Sequence, residues 1–280
     1  WIGQACVVGD GRKFLSALIT LPETRLAPLK PPGSERVIAD PFVRDDPRYY
    51  TSFMASDYPA RAWSCEEVDG PGTWNEGEGT TRSGTPRVGP TRRVYRLAVA
   101  TTGEYTQLQG GVAQAMNAIV TLVGRLNGVY EVEANVRFIL VPNNDQLIAT
   151  DPGTDAYTNA DLSAMLGENQ SNIDAIIGSA SYDVGHVFGT ANGGMASIGV
   201  ACVAGWKAKG VSASPFAITD PYTVQTFCHE VGHEFNARHT FNGINAGCTT
   251  AQRSAGDAYE PGSGSTLMGY SSFCGADNIN

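Results

Sequence analysis

Between residues 94 and 100 apolar and polar positions alternate, with Tyr95, Leu97 and Val99 facing one way and Val94, Arg96, Ala98 and Ala100 the other. This period of two predicts a strand with its more apolar face buried. The period then changes. Val112, Ala115, Met116, Ile119, Val120, Val123 and Leu126 fall at helical spacing, and Asn127-Gly128 reads as the C-terminal stop of that helix. Residues 134–141 (ANVRFILV) predict a second strand, ended by Pro142-Asn143. A second helix is expected to start at Asp161, with Leu162, Met165, Leu166, Ile173, Ile176 and Ile177 on its apolar side, and to break at Gly178-Ser179. Short strands are expected near 183–188 and 196–203, and a further helix at about 222–235, after Asp220-Pro221.

The first ninety residues follow neither period. They hold ten of the fifteen prolines, and residues 69–93 (DGPGTWNEGEGTTRSGTPRVGPTRR) read as a linker or exposed loop. A boundary near residue 90 is therefore expected, with an N-terminal segment before it and the main domain at 91–280.

Candidate chemistry is concentrated in the last expected helix. Residues 229–239 read HEVGHEFNARH and contain three of the four histidines in the chain. Positions four apart on a helix lie one turn apart on the same face, so His229 and His233 can aim two imidazoles at one ion. Glu230, one residue round from His229, can reach water at such an ion without ligating it, as a general base must. His239 would be swung roughly 120° away if the helix continued, so the helix must stop and the chain turn back. Asn236 stands where that turn needs a left-handed residue, a conformation Asn tolerates better than most residues. Three histidines with an open position suit catalytic zinc, whereas structural sites usually close four ligands. Cys228 points about 100° away from His229 and reads as a packed or disulfide-bonded cysteine. His186, inside an expected strand, reads as a hydrogen-bonded structural residue.

Composition narrows the classes. The chain of 280 residues is 42% hydrophobic, enough for one substantial core with an appendage. Its net charge of −9 argues against nucleic acid or anionic membranes as partners. No apolar run is long enough to span a membrane. Six cysteines permit up to three disulfides; Cys248–Cys274 is the favoured pair, with Cys202 as a competing partner. Nothing in the sequence sets an oligomeric state.

The motif HExxHxxGxxH, matched here except at Asn236, is the zinc signature of metzincin metallopeptidases. The blocks YRLAVATTGEYT, YDVGHVFGTANGGMASIGVAC, HEVGHEFNARHTFNG and AYEPGSGSTLMGY occur in order from residue 95 to residue 270, and this run resembles the bacterial reprolysin-like, adamalysin-related peptidases. The resemblance implies an α+β domain with a twisted mixed sheet, two long helices above a Zn2+ ion and a small lower subdomain. It implies that Met268 forms the Met-turn beneath the metal and that Tyr270 stabilises the oxyanion. It also implies that a sheet edge at Gly193, Gly194, Met195 and Ala196 pairs with extended substrate, the alternative reading of the segment being an ordinary glycine-rich turn. The activity implied is secreted zinc endopeptidase action on protein or peptide substrates, by a zinc-activated water with Glu230 as base. By the same resemblance, residues 1–90 are all or part of a pro-segment, in which Cys6 or Cys65 either caps the zinc as a thiolate or pairs in a disulfide. The catalytic domain would extend past Asn280 into a C-terminal helix. A silent zinc-binding or adhesion module is the competing class, against which Glu230 argues. Residues 3–21 weakly resemble a segment of AMP-forming acyl-CoA synthetases, a remote alternative without any phosphate-binding loop.

Overall fold

The structure is a computed structural model that describes residues 65–71, 91–216 and 221–279, together with the strand backbones of residues 5–8 and 16–19. Residues 72–90 of the expected linker and the side chain of Cys6 lie outside the described residues. Chain contacts define two units, Trp1–Arg61 with Asn280 and Ala62–Ile279. In the first, β1 (Ala5–Val8) pairs antiparallel with β2 (Ser16–Ile19), so that Ala5 stands opposite Ile19.

The second unit is built on a six-stranded mixed sheet. In chain order its strands are β3 (Cys65–Asp69), β4 (Arg93–Thr101), β5 (Val136–Leu140), β6 (Val184–Gly189), β7 (Gly193–Ile198) and β8 (Gly210–Ala213), arranged β3-β7-β8-β6-β4-β5. β8, β6, β4 and β5 run parallel to one another, and β7 runs antiparallel to β8. β3 lies parallel to β7 on its outer side, with Cys65 opposite Gly194 and Asp69 opposite Ile198. The first-strand expectation is met with one difference: from Leu97 onward both faces of β4 are buried, because helices cover the sheet on each side.

Among the described residues four helices complete the layers: α1 (Gly103–Gln109), α2 (Val112–Glu133), α3 (Leu162–Ile177) and α4 (Pro221–Glu234). Leu97 and Val99 of β4 pack with α2 and α4 through Ile119, Leu122, Leu126, Phe227 and Val231. Ala98 and Ala100 point the other way, into a second core with Met165, Leu166 and Ile173 of α3. Alternation along one strand thus assigns α2 and α4 to one face and α3 to the other.

Local chemistry sets the helix ends. Asp161 caps α3, its carboxylate accepting from the Ala164 main-chain N–H at 3.0 Å. Thr102 caps α1, accepting from Tyr105 N–H at 3.2 Å, a short helix that the apolar periodicity does not reveal. The expected stop at Asn127-Gly128 does not occur, and α2 runs on to Glu133. Asn127 is turned sideways instead: its amide donates to the Phe138 carbonyl at 2.9 Å and accepts from Phe138 N–H at 2.7 Å, tying the helix to β5. With Leu126 and Tyr130 buried on either side of it, the packed face outweighs a glycine's helix penalty of about 1 kcal/mol.

Beyond α4 the described chain has no long helix or strand. Residues 235–279 form a loop-built lower part around a small cluster of Phe241, Cys248, Tyr270 and Cys274, which also takes in Cys65. Cys248 and Cys274 are joined by a disulfide across a sequence separation of 26. Closing a loop of that size contributes roughly 3 kcal/mol in a segment with little regular structure. Cys202 is an exposed thiol, and Cys228 is a buried thiol in the core under α4, where burial pushes it up to about 12.

Candidate active site

α4 presents His229 and His233 one turn apart, and the chain after it turns back as the spacing requires. Asn236 adopts φ 73°, with its N–H donating to His233 O at 2.8 Å and the Ala237 N–H donating to Gly232 O at 2.9 Å. This pair of bonds is a Schellman turn with Asn at the left-handed position. The turn delivers His239 to the other two histidines: its Nε2 lies 3.1 Å from that of His229 and 3.2 Å from that of His233.

Among the described residues Asn236 Oδ1 is also buried without a hydrogen-bond partner. Asn236→Gly removes both the left-handed strain and that orphaned oxygen, and should raise unfolding stability by about 1 kcal/mol while leaving the metal stoichiometry unchanged. Denaturant unfolding with and without bound metal checks this; loss of metal in the variant would mean that the Asn side chain, not the turn, places His239.

The protonation of the three rings follows from their outer partners. Each Nδ1–H donates to a main-chain carbonyl: His229 to Leu267 at 2.8 Å, His233 to Ala237 at 2.7 Å and His239 to Gln252 at 2.6 Å. The Nε2 atoms therefore carry lone pairs, and all three aim at one point. Burial holds His229 down to about 3 and His239 to about 4, and pushes His233 well below its ordinary value, so the rings are neutral near pH 7.

The fourth atom at this point comes from β3. Cys65 Sγ lies 3.3 Å from His233 Nε2, and the four donor atoms of Cys65, His229, His233 and His239 all lie within 4.8 Å of one another, every residue buried. Three converging lone pairs and a sulfur repel one another unless a cation stands between them. A tetrahedral zinc with bonds of about 2.0–2.3 Å would place such donors roughly 3.3–3.6 Å apart. The donor set and spacing fit a divalent metal of the zinc type.

Around the cluster, Glu230 is fully buried beside β7. A Cβ on Gly194 would fall 2.1 Å from Glu230 Oε1, so the glycine makes room for this carboxylate. Gly193, Gly194, Met195 and Ala196 lie in β7, whose outer edge is paired with β3. Met268 reaches up under α4, where a Cβ on Gly232 would meet its Sδ at 2.5 Å.

The Tyr270 ring packs against His239 at 4.7 Å between centroids, and its hydroxyl donates to the Cys65 carbonyl at 2.9 Å. Burial raises the phenol well above its ordinary value, which keeps it a proton donor. The amide of Gln252 donates to the same carbonyl at 3.2 Å.

Two further residues that the sequence reasoning missed brace the site. Glu260 accepts main-chain N–H bonds from Ser265 at 2.7 Å and Thr266 at 3.1 Å. It also accepts from the hydroxyls of Thr240 and Thr266, joining the segment after His239 to the loop that leads to Met268. Glu234, next to His233 at the end of α4, lies 3.2 Å from His186 Nδ1, while His186 Nε2 meets Ser212 Oγ at 2.9 Å. Burial, reinforced by the nearby Glu230, pushes Glu234 well above the carboxylate range, and burial holds His186 down to about 3. The two meet in a buried hydrogen-bonded network. The sequence signal for Glu234 was its adjacency to His233; for Glu260 it was one acid in a glycine- and serine-rich loop.

A parallel-dominated mixed sheet, a helix that turns back at its end and a buried three-histidine cluster beside a carboxylate define a metallopeptidase. The family described as metallo-peptidase family M12B, reprolysin-like, matches residues 91–279, and the chain belongs to that family. A search of curated proteins finds no match.

Proposed function

We propose that this chain is a zinc-dependent endopeptidase held latent by its own Cys65. The observation that carries the reading is the buried convergence of His229, His233, His239 and Cys65 beside Glu230. Bound zinc would supply Lewis-acid activation of water and of the scissile carbonyl. His229, His233 and His239 would hold the ion, their tautomers fixed by the three carbonyls behind them. Glu230 takes the proton from the attacking water and returns it to the leaving amine. Tyr270, protonated and next to His239, donates a hydrogen bond to the oxygen that gains charge. Met268 supports the ligands from below.

Latency follows from what β3 occupies. Its sulfur takes the position that catalysis needs open, and its backbone takes the outer edge of β7, where an extended substrate would pair. Arg238 fastens the far end of the strand through Asp69 at 2.7 Å. Residues 1–90 are thus read as a pro-segment that must leave or be cut. Protein or peptide chains are the substrates, and an extracellular setting suits both the disulfide and the latency device.

The test uses the full chain activated by thiol modification or limited proteolysis and incubated with reduced, alkylated casein. Cleavage should appear on activation, stop with 1,10-phenanthroline and return with added zinc. Absence of chelator-sensitive cleavage in a protein carrying one zinc would favour the silent zinc-binding module.

A further inference from the structure

The main-chain carbonyl of Cys65 is held by two side-chain donors, Tyr270 at 2.9 Å and Gln252 at 3.2 Å, while the sulfur of the same residue sits in the metal cluster. Covalent geometry keeps a residue's carbonyl oxygen within roughly 3–5 Å of its own Sγ, so the two donors converge on a point beside the metal position. Both are indexed to the ligands. The main-chain carbonyl of Gln252 receives the Nδ1–H of His239 at 2.6 Å, and the Tyr270 ring packs on the His239 ring. They arrive from different loops, Gln252 before Glu260 and Tyr270 after Met268. A carbonyl oxygen has two lone pairs, and these two donors can fill both.

We infer that Gln252 is a second carbonyl-polarising residue of the peptidase, which together with Tyr270 binds the oxygen of the scissile peptide once the Cys65 strand has left. The inference rests on the peptidase reading above. In the latent chain the Cys65 carbonyl stands in for the substrate's. A peptide substrate offers the same acceptor, and only its scissile carbonyl must come to the metal. Its oxygen gains charge on the way to the tetrahedral state, so donors aimed at it bind that state more tightly than the ground state. An amide that only anchored the inhibitory strand would have no such effect, and its removal would free the strand and raise activity. The two roles therefore predict changes of opposite sign.

The experiment compares Cys65→Ser with Cys65→Ser/Gln252→Leu and Cys65→Ser/Gln252→Glu in the full chain. Both double variants should keep one zinc, because His239 is held by the main chain of residue 252 and not by its side chain. Their kcat should fall about tenfold with KM little changed, below the ~10²-fold or more of a well-centred donor because this bond is long. Affinity for a peptide hydroxamate, whose carbonyl would meet the same donors, should weaken by a similar factor. Adding Tyr270→Phe should cost less than the product of the separate losses, since the two donors share one oxygen. Unchanged or increased kcat together with unchanged hydroxamate affinity would overturn the inference and leave Gln252 as an anchor for β3. If Cys65→Ser shows no chelator-sensitive cleavage at all, the peptidase reading fails, and hydroxamate affinity alone then decides whether the carbonyl clamp exists.

Discussion

Glu230→Gln should leave the metal in place and reduce peptide cleavage at least ~10²-fold, the loss that follows removal of a general base. The two residues have nearly the same shape, so the close fit against Gly194 is preserved and the helix is undisturbed. What changes is proton chemistry: a carboxylate can take the proton from water, and an amide cannot. The residue is not among the four donors that converge on the metal position, so zinc content per chain should stay at one. Metal analysis and kcat on an activated sample separate the two properties. Near-normal turnover would remove Glu230 as the base; loss of metal as well as turnover would mean that the change disturbed the ligands.

The second large effect is expected at Cys65. In the chain with Cys65→Ser, casein cleavage without any activation step should rise at least ~10-fold over the parent, because a ligand tethered in the same chain acts at roughly millimolar effective concentration. A serine hydroxyl cannot replace a thiolate as a soft ligand to zinc. The gain should remain partial, since β3 still has its pairing with β7 and the Asp69–Arg238 contact. In the parent, alkylation mapped to Cys65 should be slow until a chelator is added, and a cobalt-substituted sample should show a thiolate charge-transfer band that the variant lacks. Equal cleavage by parent and variant, with Cys65 alkylated equally fast with and without metal, would show that the cysteine is a bystander.

The histidine cluster is legible in the sequence because its logic is local. His229, Glu230 and His233 are related by helical spacing, and His239 by a turn at Asn236, two residues beyond Glu234, so periodicity and the left-handed tolerance of Asn236 are enough to bring the three histidines together. The favoured pairing of Cys248 with Cys274 was likewise a choice between neighbours along the chain. Helix α3 was legible from end to end because Asp161 caps it and Gly178 follows its last residue. Helix α2 outruns its expected end because Asn127 bonds sideways to β5, a tertiary contact that no local stop signal reveals.

Contacts that join distant segments stayed hidden. Cys65 meets His233 across 168 positions, and Tyr270 meets the Cys65 carbonyl across 205. No periodicity couples residues so far apart, so the cysteine could be named as a possible cap but not told from Cys6. Gln252 carried no signal at all, being a polar residue in a polar loop. By itself the sequence determined that three histidines can converge beside Glu230, since that rests on residue type and on spacing within one or two turns. Only the tertiary structure decided which strand lies over the metal position, which carbonyl the Tyr270 and Gln252 donors hold and why Gly194 is a glycine. Those outcomes depend on sheet order and on loops brought together by burial, and burial is a property of the whole fold.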